Sequence, residues 1–206
     1  MHINNFIYQY CYDLSTLSEE TFKKIQNMMF KNKHYEYKLF TEDEIDKYIS
    51  NNFSDYIYNT FSKLKSLENK VSFWSYLILY NEGGIYLDIN KTINININTI
   101  IKPCDDAVIS AGKTENKFNT WCLIFAKKHP ILRKTIEYII DNINSNKTDL
   151  FDDIFARAFF NVHVENNNML NFSTINEKTN EVFYNGKYNY RIYSINYNNM
   201  DLISSS

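Results

Sequence analysis

Apolar residues recur along this chain in short blocks whose period changes from one block to the next. Residues 5–12, Asn-Phe-Ile-Tyr-Gln-Tyr-Cys-Tyr, are aromatic or aliphatic almost without interruption and predict a strand. Ser18 followed by Glu19 and Glu20 marks a helix start, because acids favour the first turn, and that helix should reach about Phe30. Residues 34–40 alternate and predict a second strand. Thr41 and Glu44 stand at capping-box spacing and predict a helix to about Ile49. Residues 69–82 predict a helix of another kind: Val71, Trp74 and Ile78 share one stripe, while Phe73, Tyr76, Leu77 and Tyr80 cover others. A helix apolar on most sides belongs inside the protein. Its polar stripe is Ser72 and Ser75, at the i, i+3 spacing that shares a face. Gly83-Gly84 should end it, where a left-handed residue is wanted. Residues 85–90 then alternate as a strand, with Ile85, Leu87 and Ile89 on one face and Tyr86, Asp88 and Asn90 on the other.

The second half is less sharply patterned. Residues 92–99 alternate Ile with Asn and predict a strand or hairpin, and residues 107–111 and 120–126 predict buried strands. Pro130 suits the first turn of a helix to about Ile143, and another helix is expected from Asp149 to Val162. Residues 165–171 read as a loop, 181–197 as short strands, and about 199–206 as a frayed tail. No repeat and no Pro/Gly/Ser linker divides residues 1–206. Strands alternating with helices predict a single α/β domain, a mostly parallel sheet flanked by helices.

Composition narrows the classes. With 22 basic against 24 acidic residues the net charge is −2, which argues against a nucleic-acid partner. The 17 Tyr and 15 Phe, set against 4 Gly and 2 Pro, fit an AT-rich coding sequence, so the many asparagines reflect codon pressure rather than chemistry. Each glycine becomes more informative for the same reason. Cys11, Cys104 and Cys122 are odd in number and show no metal spacing, which suits a reducing compartment. The longest strongly apolar run, residues 73–80, is far short of the roughly 20 residues that span a bilayer. The N-terminus lacks the basic start and apolar stretch of a signal peptide. The expectation is a cytoplasmic protein without a transmembrane segment.

The informative chemistry lies in residues 72–90. A buried helix turns on two glycines into a strand that delivers Asp88 at its C-terminal end, where open α/β sheets bind their ligands. A carboxylate there, with a second oxygen ligand two residues on, suits a hard divalent cation that bridges phosphates. Among the histidines, His34 and His129 read as structural or exposed, and His163 is a remote candidate ligand. Asp105-Asp106 and Asp152-Asp153 read as turn and helix-start acids, with approach to a metal the alternative for either pair.

The run Val71-Ser72-Phe73-Trp74-Ser75-Tyr76, then Leu79-Tyr80, then Gly83-Gly84-Ile85-Tyr86-Leu87-Asp88-Ile89-Asn90 resembles the signature of glycosyltransferase family 32, the DXD-containing sugar-binding region proteins. Residues 6–12 resemble that family's opening strand, residues 34–44 its next aromatic stretch, residues 127–132 a His-Pro segment, and 191–197, more loosely, its terminal segment. The resemblance implies a GT-A-like (Rossmann-related) fold and a nucleotide-sugar donor. It also implies a divalent metal, commonly Mn²⁺, a glycan or protein acceptor, and transfer with retention. Carried over position by position, it makes Asp88 the catalytic residue. Tyr10, Ser72, Ser75, Gly83, Gly84 and Tyr86 join Asp88 around the donor, and Asp88, Asn90 and Asn196 stand at the metal. The family's Asp and Arg are Ser72 and Ser75 here, its second acid is Asn90, its first-strand Trp falls at Cys11, and its terminal His falls near Asn196. Two readings follow: a metal-assisted glycosyltransferase, or an inactive homologue that binds a sugar, a nucleotide or a protein. A purely structural protein is a third and weaker one.

Overall fold

A computed structural model describes residues 2–111, 118–145, 153–165, 181–184, 189–193 and 203–205. The chain opens with strand β1 (Phe6–Tyr10) and helix α1 (Glu19–Lys31). The Ser18 side chain accepts the Thr21 N–H at 3.0 Å and caps α1, and Glu19–Lys23 and Glu20–Lys24 pair along its exposed flank. Strand β2 (Glu36–Phe40) and helix α2 (Glu42–Asn52) follow. The Glu44 carboxylate reaches back to the Thr41 N–H at 2.8 Å and its hydroxyl at 3.0 Å, as the capping-box spacing predicts. Helix α3 (Asp55–Ser62) is an element the pattern reading does not supply.

Helix α4 (Leu67–Glu82) starts two residues before the expected position because Ser66 caps it. All of Phe73–Leu79 is buried, in line with the all-round apolar pattern. Strand β3 (Gly84–Leu87) comes next, then β4 (Lys91–Ile93), β5 (Ala107–Ala111) and β6 (Phe118–Phe125). Helix α5 (Pro130–Asn144) carries Pro130 in its first turn, and helix α6 spans Ile154–Glu165. Short strands β7 (Glu181–Tyr184), β8 (Asn189–Tyr193) and β9 (Ile203–Ser205) end the described chain.

Seven strands form one sheet in the order β2-β1-β3-β6-β5-β8-β7. β2, β1 and β3 run parallel; β6 is antiparallel to β3 and β5; β8 runs parallel to β5, and β7 opposes β8. Five of the seven strands therefore share one direction. Helices α2 to α6 cover one face through Ile45, Phe61, Trp74, Ile131 and Phe159; α1 and residues 93–100 cover the other through Met28, Ile93, Ile97 and Ile100.

Three local expectations change. The Ile/Asn alternation of 92–99 yields only β4 and then a short 3-10 turn at Ile97–Thr99. Asn32, from the end of α1, accepts the Ile97 N–H at 2.7 Å and donates to the Ile95 carbonyl at 3.1 Å, so the backbone there bonds to a side chain instead of a strand. Within the expected frayed tail, Ile203–Ser205 pairs antiparallel with β4. Gly83 has φ 69° and ψ 176°, an extended conformation with positive φ rather than the left-handed helical one, and it still closes α4 by donating its N–H to the Leu79 carbonyl at 2.8 Å.

Candidate active site

The sheet presents the C-terminal ends of β1, β2 and β3 together, and Asp88 follows β3 directly. Tyr8 pairs with Tyr86 in the parallel ladder, so two residues further on Tyr10 and Asp88 stand at the same level on neighbouring strands. β3 ends at Leu87, and Asp88 to Lys91 close a turn in which the Lys91 N–H donates to the Asp88 carbonyl at 2.8 Å. Asn90 therefore lies in a turn and is exposed, and strand alternation no longer aligns it with Tyr86 and Asp88. This corrects the expected strand to residue 90.

A residue the pattern reading passes over fixes that turn. Gln9 is fully buried in β1. Its Nε2 donates to the Asp88 carbonyl at 2.8 Å and the Lys91 carbonyl at 2.9 Å, and its Oε1 accepts the Tyr37 hydroxyl at 2.8 Å. An amide in the middle of an apolar strand is the signal that points to it, since a buried amide must find partners. On the other flank the Asp88 N–H donates to the Trp121 carbonyl at 2.9 Å.

The Asp88 side chain keeps solvent contact, yet protein crowds its carboxyl group. The crowding raises its pKa; the Tyr86 hydroxyl, donating to Oδ1 at 2.9 Å, and the Lys91 ammonium oppose that rise, and Glu68 adds to it. Tyr86 is itself buried, its ring edge-on to Trp74 at 5.9 Å, and its phenol is pushed up by burial and then by Asp88. Tyr86 thus holds the carboxylate from below.

Glu68, Ser72, Ser75 and Tyr76 lie on one stripe of α4. Burial and then Asp88 raise the pKa of Tyr76, and Glu68 adds to the rise that burial gives Asp88, so this stripe turns toward Asp88. Ser72 is half-buried on it. Ser75 is buried and its hydroxyl donates to the Ser72 carbonyl at 2.8 Å, so its proton is turned inward. Tyr10 is half-buried; its hydroxyl is enclosed without a hydrogen-bond partner, and burial, then Glu42, pushes its pKa up to about 12.

The glycine pair sits elsewhere. Gly83 precedes β3 and Gly84 opens it, five and four residues from Asp88 at about 3.3 Å each, so about 16 and 13 Å away. A Cβ on Gly83 would lie 2.7 Å from the Lys127 nitrogen, and one on Gly84 2.8 Å from the Phe6 carbonyl oxygen. Their backbone, bare of side chains, lets β3 pass between β1 and β6.

The donor set for a divalent cation is incomplete. Among the described residues no three His, Cys, Asp or Glu side chains come together as metal ligands. Asp88 contributes one carboxylate with an oxygen already bonded to Tyr86, and Asn90 one neutral amide. Asn196 and the side chain of His163 lie outside the described residues. His129 caps α5, its Nδ1 accepting the Ile131 N–H at 3.3 Å. Asp105 accepts the Lys102 N–H at 2.7 Å within its turn, and Asp152 also falls outside the described residues.

The mixed sheet flanked by helices is the GT-A fold of glycosyltransferases. The PaToxG glycosyltransferase superposes with a TM-score of 0.65 at 18% identity, over 80% of this chain and 72% of that one, and shows the fold. Residues 18–105 match the family model of the glycosyltransferase sugar-binding region containing the DXD motif. The yeast glycosyltransferase HOC1 (Saccharomyces cerevisiae) is 27% identical over 138 residues, 58% of this chain. That model and HOC1 support the expectation drawn from residues 72–90, a likeness to the DXD-containing glycosyltransferase family. The match spans 35% of the HOC1 length. No helix among the described residues is long and apolar enough to cross a membrane.

Proposed function

We propose that this chain takes a nucleoside diphosphate sugar at the C-terminal ends of β1 and β3 and transfers the sugar to a hydroxyl of a glycan or protein acceptor. The observation that carries the reading is Asp88, a solvent-accessible carboxylate in a turn bonded from both neighbouring strands. Tyr10, level with Asp88, offers a ring on which a base can stack, and Ser72 forms the rim toward α4. Asp88 would accept a hydrogen bond from a donor hydroxyl, held in position by the Tyr86 phenol. No protein nucleophile is assigned: transfer with retention, as the family likeness suggests, is assisted by the departing diphosphate itself.

Divalent cations generally serve this family, and here one would screen charge on the leaving group. The described residues do not form a fitting set, so no step is derived through a metal. The second reading, a member that binds a sugar, a nucleotide or a protein partner without turnover, is favoured by that incomplete set and by the inward-turned hydroxyl of Ser75.

Thermal-shift titration with UDP- and GDP-sugars, followed by a donor-hydrolysis screen, separates these readings. Donor at about 100 times Kd stabilises by about 2.7 kcal/mol through mass action. Stabilisation with hydrolysis supports the transferase, and stabilisation without it supports the binding module. No shift with any donor removes the nucleotide-sugar site.

A further inference from the structure

We propose that Lys91 supplies the positive charge that faces the donor's diphosphate, standing where a DXD site would use a divalent cation. The inference rests on the donor reading above and names what recognises the phosphates.

A diphosphate brings at least two negative charges, and a site that binds it must answer them with cations or fixed N–H dipoles. A motif with two carboxylates repels phosphate until a metal ion intervenes. Here the second carboxylate is an amide, Asn90, and the next residue is a lysine. The turn Asp88-Ile89-Asn90-Lys91 carries one negative and one positive charge, so it is neutral before any ion binds. The same substitution that removes a metal ligand removes the need for part of the metal's charge.

The geometry holds Lys91 in place. Its N–H donates to the Asp88 carbonyl and its own carbonyl accepts from the buried Gln9 amide at 2.9 Å. Its ammonium lies 5.5 Å from the centroid of the Trp121 ring, and the Trp121 carbonyl accepts the Asp88 N–H at 2.9 Å. The side chain is thus held on the same flank from which Asp88 is bonded. No carboxylate among the described residues pairs with its ammonium within 4.0 Å, unlike the paired Lys23, Lys24, Lys38 and Lys70. The ammonium also lowers the pKa of Asp88, so the two charges sense each other. Lysine suits the task as a compact point charge for phosphate oxygens.

The test is calorimetric titration of the full chain with UDP and GDP, and with uridine and guanosine as phosphate-free controls, in EDTA and then in Mn²⁺. The expected result is diphosphate binding in EDTA, improved less than about 3-fold by Mn²⁺. Lys91→Gln should weaken it about 10-fold or more while nucleoside affinity stays unchanged, and Lys91→Arg should remain within about 3-fold of the native chain. A melting curve for each variant checks folding, and the charge-keeping Arg variant separates lost charge from lost packing. Binding that requires Mn²⁺ and ignores Lys91→Gln overturns the inference and leaves the donor reading intact. No diphosphate binding in either medium overturns both.

Discussion

Gln9→Leu is the substitution whose cost follows most directly from the structure. The amide is fully buried and makes three hydrogen bonds, to Asp88, Lys91 and Tyr37. Leucine keeps the volume and removes all three. The Asp88 carbonyl still accepts the Lys91 N–H, so the groups losing a partner outright are the Lys91 carbonyl and the Tyr37 hydroxyl. Two such part-buried groups cost about 1–3 kcal/mol each. Burying the leucine offsets about 1.5–3 kcal/mol. Taking the middle of each range, the net destabilisation is about 2 kcal/mol. With a urea m-value of about 2 kcal/mol/M, the midpoint should fall by about 1 M with unchanged slope. The companion Gln9→Glu should be worse at neutral pH, because a carboxylate would face two carbonyl oxygens. Its folded-state pKa would be raised, so its stability should recover as pH falls and the group takes a proton. A Gln9→Leu midpoint within about 0.2 M of the native chain would refute the claim that this amide closes the turn.

Gly83→Ala places a Cβ 2.7 Å from the Lys127 nitrogen at a positive φ, so a loss of roughly 3 kcal/mol or more is expected by urea denaturation. Asp88 has a raised pKa from burial, so the native state holds its proton more tightly than the unfolded chain. The stability this gives is complete below about pH 3.9, the unfolded value, and is lost as pH rises through the folded value. Asp88→Asn should flatten the fall in melting temperature between pH 4 and pH 7, and parallel profiles would show that burial is not the cause. Asn90→Asp restores a second carboxylate on the exposed turn and should tighten Mn²⁺ binding about tenfold by calorimetry. Unchanged affinity would show that the two side chains diverge.

Elements fixed by short-range chemistry were legible in the sequence. Ser18, the Thr41–Glu44 pair and Pro130 act within one turn of where they stand, and each starts its helix as read. The all-round apolar pattern of residues 73–79 likewise gave the buried helix. Where a side chain from a distant element competes for the backbone, the local period misleads. Ile85 to Asn90 alternates without a break, but Gln9, 79 residues before Asp88, takes the carbonyls and turns the chain after Leu87. Asn32 does the same to the Ile/Asn run. Asp88 was legible because a strand end is a local event. Gln9 and Lys91 were not, because their meaning lies in which strands are neighbours.

The two ends of β3 therefore carry separate information. At its start, the Lys127 nitrogen just past β6 and the Phe6 carbonyl of β1 lie within 3 Å of where side chains on Gly83 and Gly84 would begin, so the packing requires both glycines whether or not a donor binds. A chain that had lost donor chemistry would keep both glycines for packing alone, and their presence says nothing about turnover. At its end the reverse holds. The Asp88 carboxylate meets solvent, and its crowding outweighs the support that Tyr86 and Lys91 give its charge, so its pKa is raised. Burial that penalises an ionised group marks a position kept at a cost to stability, which is where functional groups concentrate. The choice between a transferase and a binding module thus turns on residues 88–91 and the Gln9 amide that fixes them, and Gln9→Leu with Lys91→Gln separates the geometry of that turn from its charge.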